Sequence, residues 1–349
     1  MGQYFEFVKN DTITVEGHIL HRIRCTRDCK WAKKGEFGGY IEEFENLFGD
    51  AWVCGNARVC GNARVFGNAR VFGDAQVSGN AWVSGNAQVY GDTWVYGNAR
   101  VCGNARVFGN ARVFGDAWVC GNAQVSGNAR VCGDAQVCGD AWVSGDARVC
   151  GNARVFGNAR VFGDAQVCGD AWVSGDAQVY GNAQVSGNAQ VSGNARVCGK
   201  ARVFGNAQVY GDAWVSGDAQ VSGDAQVSGN ARVYGDAWVC GNARVFGNAQ
   251  VFGNAQVYGD ARVSGDAQVS GDARIDCIKA HCGFDVFGSY GRHTHAYITA
   301  ENKIEITCGC FRGSIEEFEA KVRKTHGDNQ YAHEYLAIIY LIKIKFGLV

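Results

Sequence analysis

The chain contains no proline, so no segment is barred from a hydrogen-bonded ladder by a missing backbone N–H. No apolar run approaches the length of a membrane span, and no membrane association is expected. Met1 to Arg24 is mixed and charged, without the apolar stretch of a secretory signal, which predicts a cytoplasmic protein. Neither sign of charge dominates: 33 Lys and Arg against 34 Asp and Glu leave a net −1. That balance removes the long-range attraction on which nucleic-acid or acidic-membrane binding depends. Between Ala51 and Ala280 there is neither His nor Glu. The tract therefore lacks the side chains best suited to general-base chemistry near neutral pH.

What fills this tract is one phrase. From Leu47 to Ile278 the chain repeats Val-x-Gly-Asn/Asp-Ala-y every six residues, where x is Cys, Phe, Ser or Tyr and y is Arg, Gln or Trp. A strict short period means one supersecondary unit stacked on itself. In Ala-y-Val-x, alternation sends Ala and Val to one face and y and x to the other, and β-branched Val suits the buried side. Gly and Asn/Asp then form a corner, both being tolerant of positive φ. Each hexapeptide is one side and one corner of a polygon. Three sides close a coil of eighteen residues, with inward ladders beginning at Leu47, Val53 and Val59. Every sixth residue from Leu47 to Ile275 is Leu, Val or Ile, 39 positions in all, or thirteen coils. Burying one Val stabilises by about 1.5–3 kcal/mol. Ordering six residues costs about 6–12 kcal/mol in backbone entropy. A lone hexapeptide cannot fold, and stacking must supply the difference.

The outward positions carry little that is site-like. The phrase Cys-Gly-Asn-Ala-Arg-Val-Phe-Gly-Asn-Ala-Arg-Val-Phe-Gly-Asp-Ala starts at Cys60, Cys102 and Cys150, at offsets of 42 and 48 residues. Neither offset is a multiple of eighteen, so successive copies fall on different faces, and a site confined to one face would not survive. Eight of the nine Trp occupy position y, and Phe72, Tyr90 and Phe108 share one face. Ladder stacking with Arg over neighbouring rings is one reading; a side-by-side interface, as in a trimer or bundle, is the other. Cys102, Cys120 and Cys138 stack, as do Cys132, Cys150 and Cys168. They read as free thiols in place of Ser, against strained disulfides or a soft-metal ladder.

The ends differ from the tract. Residues 1–46 predict a β cap, with Phe5–Val8 and Thr12–Val15 as a hairpin around Lys9-Asn10-Asp11 and a further strand at Ile19–Cys25. Residues 279–349 predict a ββαα unit. Its hairpin turns at Glu301-Asn302-Lys303; Ser314 with Glu317 opens a helix that Gly327 stops; a second helix runs from Asn329 to Phe346. Here lie the chemistry candidates: His281, His293 and His295 as a general base, and Cys308, Cys310 and His326 as a zinc site, against ordinary packing residues.

Arg22-Ile23-Arg24 through Arg27-Asp28, Lys34-Gly35, Gly38-Gly39-Tyr40-Ile41 and Asn46-Leu47 resemble a family of single-chain hexapeptide-repeat proteins from bacteria and prophages, the YdcK type. The run Cys308-Gly309-Cys310-Phe311, Gly313, Glu317-Phe318, Thr325-His326-Gly327 and Glu334-Tyr335-Leu336 is similar to the tail of phage-associated repeat proteins. Val53 with Ala57 also matches the inward aliphatic and small residues of the hexapeptide superfamily. The resemblance implies an all-β fold, a left-handed parallel β-helix, whose hand is an exception to the usual crossover rule. It also implies acyl-CoA-dependent acyl transfer, with a His at a subunit boundary, although fold alone does not carry function.

The expectation is a structural or scaffolding rod presenting end modules, with no cofactor and with no nucleic-acid or membrane partner. Protein contact or self-association would run through the aromatic ladders or the C-terminal unit. The alternatives are the acyltransferase and a binding module in which the C-terminal unit docks a partner.

Overall fold

The computed structural model describes residues 4–277 and 279–349. Ile278, the expected last residue of the tract, lies outside them. The chain divides into two compact units, Met1–Gly187 and Asn188–Val349. Between them the units carry a parallel β-solenoid of about thirteen turns.

In the first unit the rungs run from Trp52–Val53 to Gln184–Val185, each a two-residue y–Val strand except Arg70–Phe72 and Gln88–Tyr90, which add one residue. Within the unit, rungs pair in parallel with those eighteen residues on, as Arg130 with Arg148 and Val131 with Val149. Both flanks of the rung add to the ladder: Arg148 N–H donates to Ala165 O at 2.9 Å, and Cys150 N–H donates to Val167 O at 3.0 Å. Every inward Val and nearly every Ala of the tract is fully buried. The second unit repeats this arrangement from Gln190–Val191 to Arg274–Ile275.

The corner divides its work differently from the sequence expectation. Only Gly takes positive φ, between +60° and +78° along the tract; none of the corner Asn or Asp residues does. The amides instead bond along the axis. Asn128 Nδ2 donates to Asp146 Oδ1 at 2.8 Å, and Asn62 Nδ2 donates to Asn80 Oδ1 at 3.0 Å. These bonds all run one way, from an Asn to the Asn or Asp one coil later. Asp has no proton to give at neutral pH, so Asp beneath Asp, as with Asp74 and Asp92, breaks the ladder.

The N-terminal cap corrects the expected hairpin. β1 (Phe5–Val15) is one strand, β2 is His18–Cys25, and they pair antiparallel across Glu16-Gly17. Both turn residues have positive φ, +51° and +88°, the tight geometry that matches strand twist. Lys9-Asn10-Asp11 falls in an irregularity of the β1–β2 register, with Asn10 at φ +59°. β3 (Phe37–Ile41) then pairs antiparallel with β2 and parallel with Arg58–Val59. The inward column thus starts at Ile41, one hexad before Leu47. Asn46 fixes the entry, its Nδ2 donating to Gly61 O and Ala63 O at 2.9 Å each. Trp52, expected outward, is buried because the cap covers it with Tyr4, whose hydroxyl donates to Ala51 O.

The C-terminal part has four antiparallel strands, not two: His281–Phe287, Arg292–Ile298, Ile304–Cys308 and Phe311–Gly313. The Cys308–Phe311 segment is a tight hairpin turning at Gly309-Cys310. α1 (Ile315–His326) and α2 (Gln330–Lys345) follow. Ser314 caps α1 with the expected capping box, and Asn329 caps α2. Among the described residues no helix is long and apolar enough to cross a membrane.

Candidate functional site

The three candidate histidines come together, and alternation along two strands explains how. His281 faces Tyr297 and Gly283 faces His295 across the first strand pair. His281, Gly283 and Asp285 therefore share a face with His293, His295 and Tyr297; on the next strand Glu305 and Thr307 join them. The opposite face carries Phe284, Ala296 and Ile306. It packs on Phe318 and Val322 of α1 and on Tyr335, Ile339 and Ile342 of α2. The second strand is thus covered on both sides.

The polar face lies on the last solenoid coil. The end of a parallel stack leaves backbone groups without a further coil to bond, and buried ones need partners. His295 Nδ1 donates to Gln268 O at 3.2 Å, and Thr307 Oγ1 donates to the same carbonyl at 3.3 Å. The Tyr297 hydroxyl donates to the Glu305 carboxylate and sits 3.4 Å from Ser270 O. With Nδ1 donating, neutral His295 accepts at Nε2 from His281 Nδ1, 2.9 Å away. His295 is 1% exposed. Burial, with the neighbouring His281 adding to it, pushes its pKa down to about 3. Burial also lowers the pKa of His281. These two rings form a neutral, sealed relay rather than a base open to solvent.

His293 differs. Its Nδ1 is 2.6 Å from Asp285 Oδ1; its Nε2, like that of His281, is buried with no hydrogen-bond partner. The ring lies against Gly283, where any Cβ would come within 2.6 Å of His293 Cε1. His293 lines a shallow cavity of about 360 Å³ with Asp266, Gln268, Tyr290, Arg292 and Thr307.

Cys308, Cys310 and His326 border another cavity, of about 810 Å³, together with Phe318, Tyr331 and Tyr335. They do not converge. Cys308 is buried and receives a bond from Thr294 Oγ1 at 3.3 Å, whereas Cys310 is exposed. His326 lies beside the Tyr335 ring, centroids 5.7 Å apart. Among the described residues no group of three or more His, Cys, Asp or Glu side chains is arranged to hold a metal ion.

Asp285, Gln268, Tyr297 and Thr307 complete this region and were not singled out from the sequence. Alternation was the available signal for the strand residues. For Gln268 there was none, because the main-chain carbonyl of an ordinary repeat residue does the work.

The solenoid faces hold ladders. Phe72, Tyr90 and Phe108 stack as expected, with centroids 4.7 and 5.1 Å apart. Arg100 lies over Trp82 at 5.2 Å and Arg112 over Trp94 at 5.0 Å.

Comparison with known proteins agrees with the repeat. No curated protein sequence matches the chain. A solved structure of the Francisella novicida UDP-N-acetylglucosamine acyltransferase overlaps 47% of this chain and 66% of its own, at 16% identity and a TM-score of 0.22. The chain therefore spans slightly less than two thirds of that enzyme, and an overlay this loose transfers no activity. The family profile described as YdcK Beta solenoid repeat matches residues 57–91, 99–121, 123–205, 207–223, 225–253 and 255–271. With that repeat covering more than half of its residues, the chain belongs to the YdcK β-solenoid repeat family.

Proposed function

We propose that the repeat tract is a structural scaffold and that the C-terminal α+β part is a protein-docking module. The observation that carries this reading is the outer face of α2 and the residues after it. Tyr340, Leu341, Ile344 and Leu348 are 58%, 48%, 49% and 55% exposed, and the spacing of the first three keeps them on one side of α2. An uncovered apolar stripe of this kind marks a contact surface. The histidines support the same reading from the other side, since His281 and His295 close the last coil. The sixteen cysteines, all free, fit a reducing compartment such as the cytoplasm.

The test compares the full chain with the variant Leu341→Asp/Ile344→Asp, by solution mass and by capture of proteins from the native host. The variant is expected to keep its circular dichroism and lose the added mass or the captured protein. Identical mass and identical capture would reject the docking role.

A second reading, acyl transfer, rests on the Asp285–His293 pair, because a carboxylate on Nδ1 leaves Nε2 to accept a proton. Acyl-CoA turnover that disappears in His293→Ala would favour it; turnover absent from the unaltered protein would remove it.

A further inference from the structure

Two runs of thiols have no part in docking or in closing the coil. Cys102, Cys120 and Cys138 follow one another on consecutive coils of the first unit, two residues after the paired positions Arg100, Trp118 and Gln136. Cys132, Cys150 and Cys168 do the same on another face, after Arg130, Arg148 and Gln166. All six are free and partly buried. Elsewhere in the tract a Cys has Ser, Phe or Tyr one coil away, so only these two runs set sulfur over sulfur.

Coil spacing selects what such a pair can hold. Strands in a sheet lie about 4.8 Å apart. A disulfide needs Cβ atoms about 3.5–4.5 Å apart, so bridging two rungs would pinch the ladder. Two metal–thiolate bonds of about 2.3 Å, the length known for zinc, span about 4.6 Å end to end, close to the rung spacing. Three or four ligands do not converge here, which excludes a zinc-type site. Two-coordinate ions remain, and thiolates prefer soft ions among these.

The local electrostatics favour thiolate at one end of each pair. Cys120 donates to the Cys102 sulfur and, against the opposing effect of burial, lowers its pKa to about 6, with help from Trp118 and Arg100. Trp118 Nε1 lies 3.0 Å from that sulfur. Cys150 does the same for Cys132, which falls to about 7 beside Arg130 and Arg148.

We propose that the pairs Cys102/Cys120 and Cys132/Cys150 each bind one monovalent soft metal ion, of the Cu(I) or Ag(I) class, held linearly between sulfurs one coil apart. Two metal–sulfur bonds form, and the S–H bonds still present in the pair break. The proton on Cys120 or Cys150 leaves, with any remaining on Cys102 or Cys132, and no electron moves. The resulting bis-thiolate carries one negative charge, which the neighbouring arginines offset. Proton competition makes binding weaken as pH falls.

The test loads reduced full-length protein with Cu(I) without oxygen, against a chromogenic Cu(I) chelator as competitor, and counts copper per chain. The unaltered protein is expected to hold two more ions than Cys120→Ser/Cys150→Ser. Cys138→Ser/Cys168→Ser keeps both pairs and is expected to match the unaltered protein. Any copper held by other cysteines of the chain cancels in this comparison. Ser already occupies the same columns at Ser84 and Ser186, so the variants should fold, as circular dichroism will check. A second measurement needs no variant: bound Cu(I) should shield Cys102, Cys120, Cys132 and Cys150 from alkylation, read by peptide mass. Equal copper in the unaltered protein and Cys120→Ser/Cys150→Ser, or unchanged alkylation of these four, overturns the proposal.

Discussion

Replacing Gly145 by Ala separates two reasons for glycine at the corners. Gly145 sits at φ +70°, and a Cβ there would lie 2.9 Å from Gly163 N, 3.0 Å from its O and 3.2 Å from its Cα. Left-handed backbone costs an L residue about 1–2 kcal/mol. The contact adds to this, because the obstructing atoms are the backbone of the next coil and have no rotamer to change. Overpacking of this kind costs about 1–3 kcal/mol, so the total for G145A is about 2–5 kcal/mol. Gly17, in the β1–β2 turn, is the control: its φ is +88°, yet nothing lies within 4 Å of an added Cβ. G17A should carry only the backbone cost, about 1–2 kcal/mol. Guanidinium unfolding, followed by far-UV circular dichroism and by the fluorescence of nearby Trp142, gives both values. Equal losses would refute the reasoning, because they would mean that coil spacing yields freely and that φ alone demands glycine.

The one-way amide ladder predicts an opposite sign for a conservative exchange. Asp74→Asn lets the new amide donate to Asp92 while still accepting from Asn56, which now bonds Asp74 at 3.0 Å. It should stabilise by about 0.2–1 kcal/mol, the scale of exposed polar pairs, and the gain should shrink in salt; a loss of stability would contradict the ladder. The sealed histidine relay predicts acid sensitivity. His295 has a folded pKa of about 3, against about 6.5 for an unfolded His. The unfolded state therefore binds more protons below pH 6.5, and the stability held above that pH is lost as pH falls toward 3. His295→Gln keeps a donor and an acceptor but does not titrate. It should flatten the decline by up to about 1.4 kcal/mol per pH unit, read from denaturation midpoints at pH 4.5 and 7; an unchanged slope would place the sensitivity elsewhere.

Misreadings fell where two local signals were equivalent. Lys9-Asn10-Asp11 and Glu16-Gly17 both suit a turn, and each contains a residue with positive φ. Only the pairing of β1 with β2, and of β2 with β3, makes one the turn and the other an irregularity. His281, Gly283 and Asp285 alternate with Cys282, Phe284 and Val286 as a strand should. The surface that this alternation covers was not visible in one dimension, because the last coil meets it only in the fold. The helix caps at Ser314 and Asn329 were legible because a cap is settled within four residues.

The sequence by itself determined the eighteen-residue coil, the buried Val and Ala columns and the glycine corners. Each of these follows from a period repeated so often that every residue's neighbour one coil away is known in advance. Tertiary structure alone decided what happens where the period stops. Ile41 became the first inward rung, Tyr4 buried Trp52, and His295 became a partner for the Gln268 carbonyl. At an end the neighbouring residues come from distant segments, and the free energy that places them depends on which backbone groups the last coil leaves unbonded.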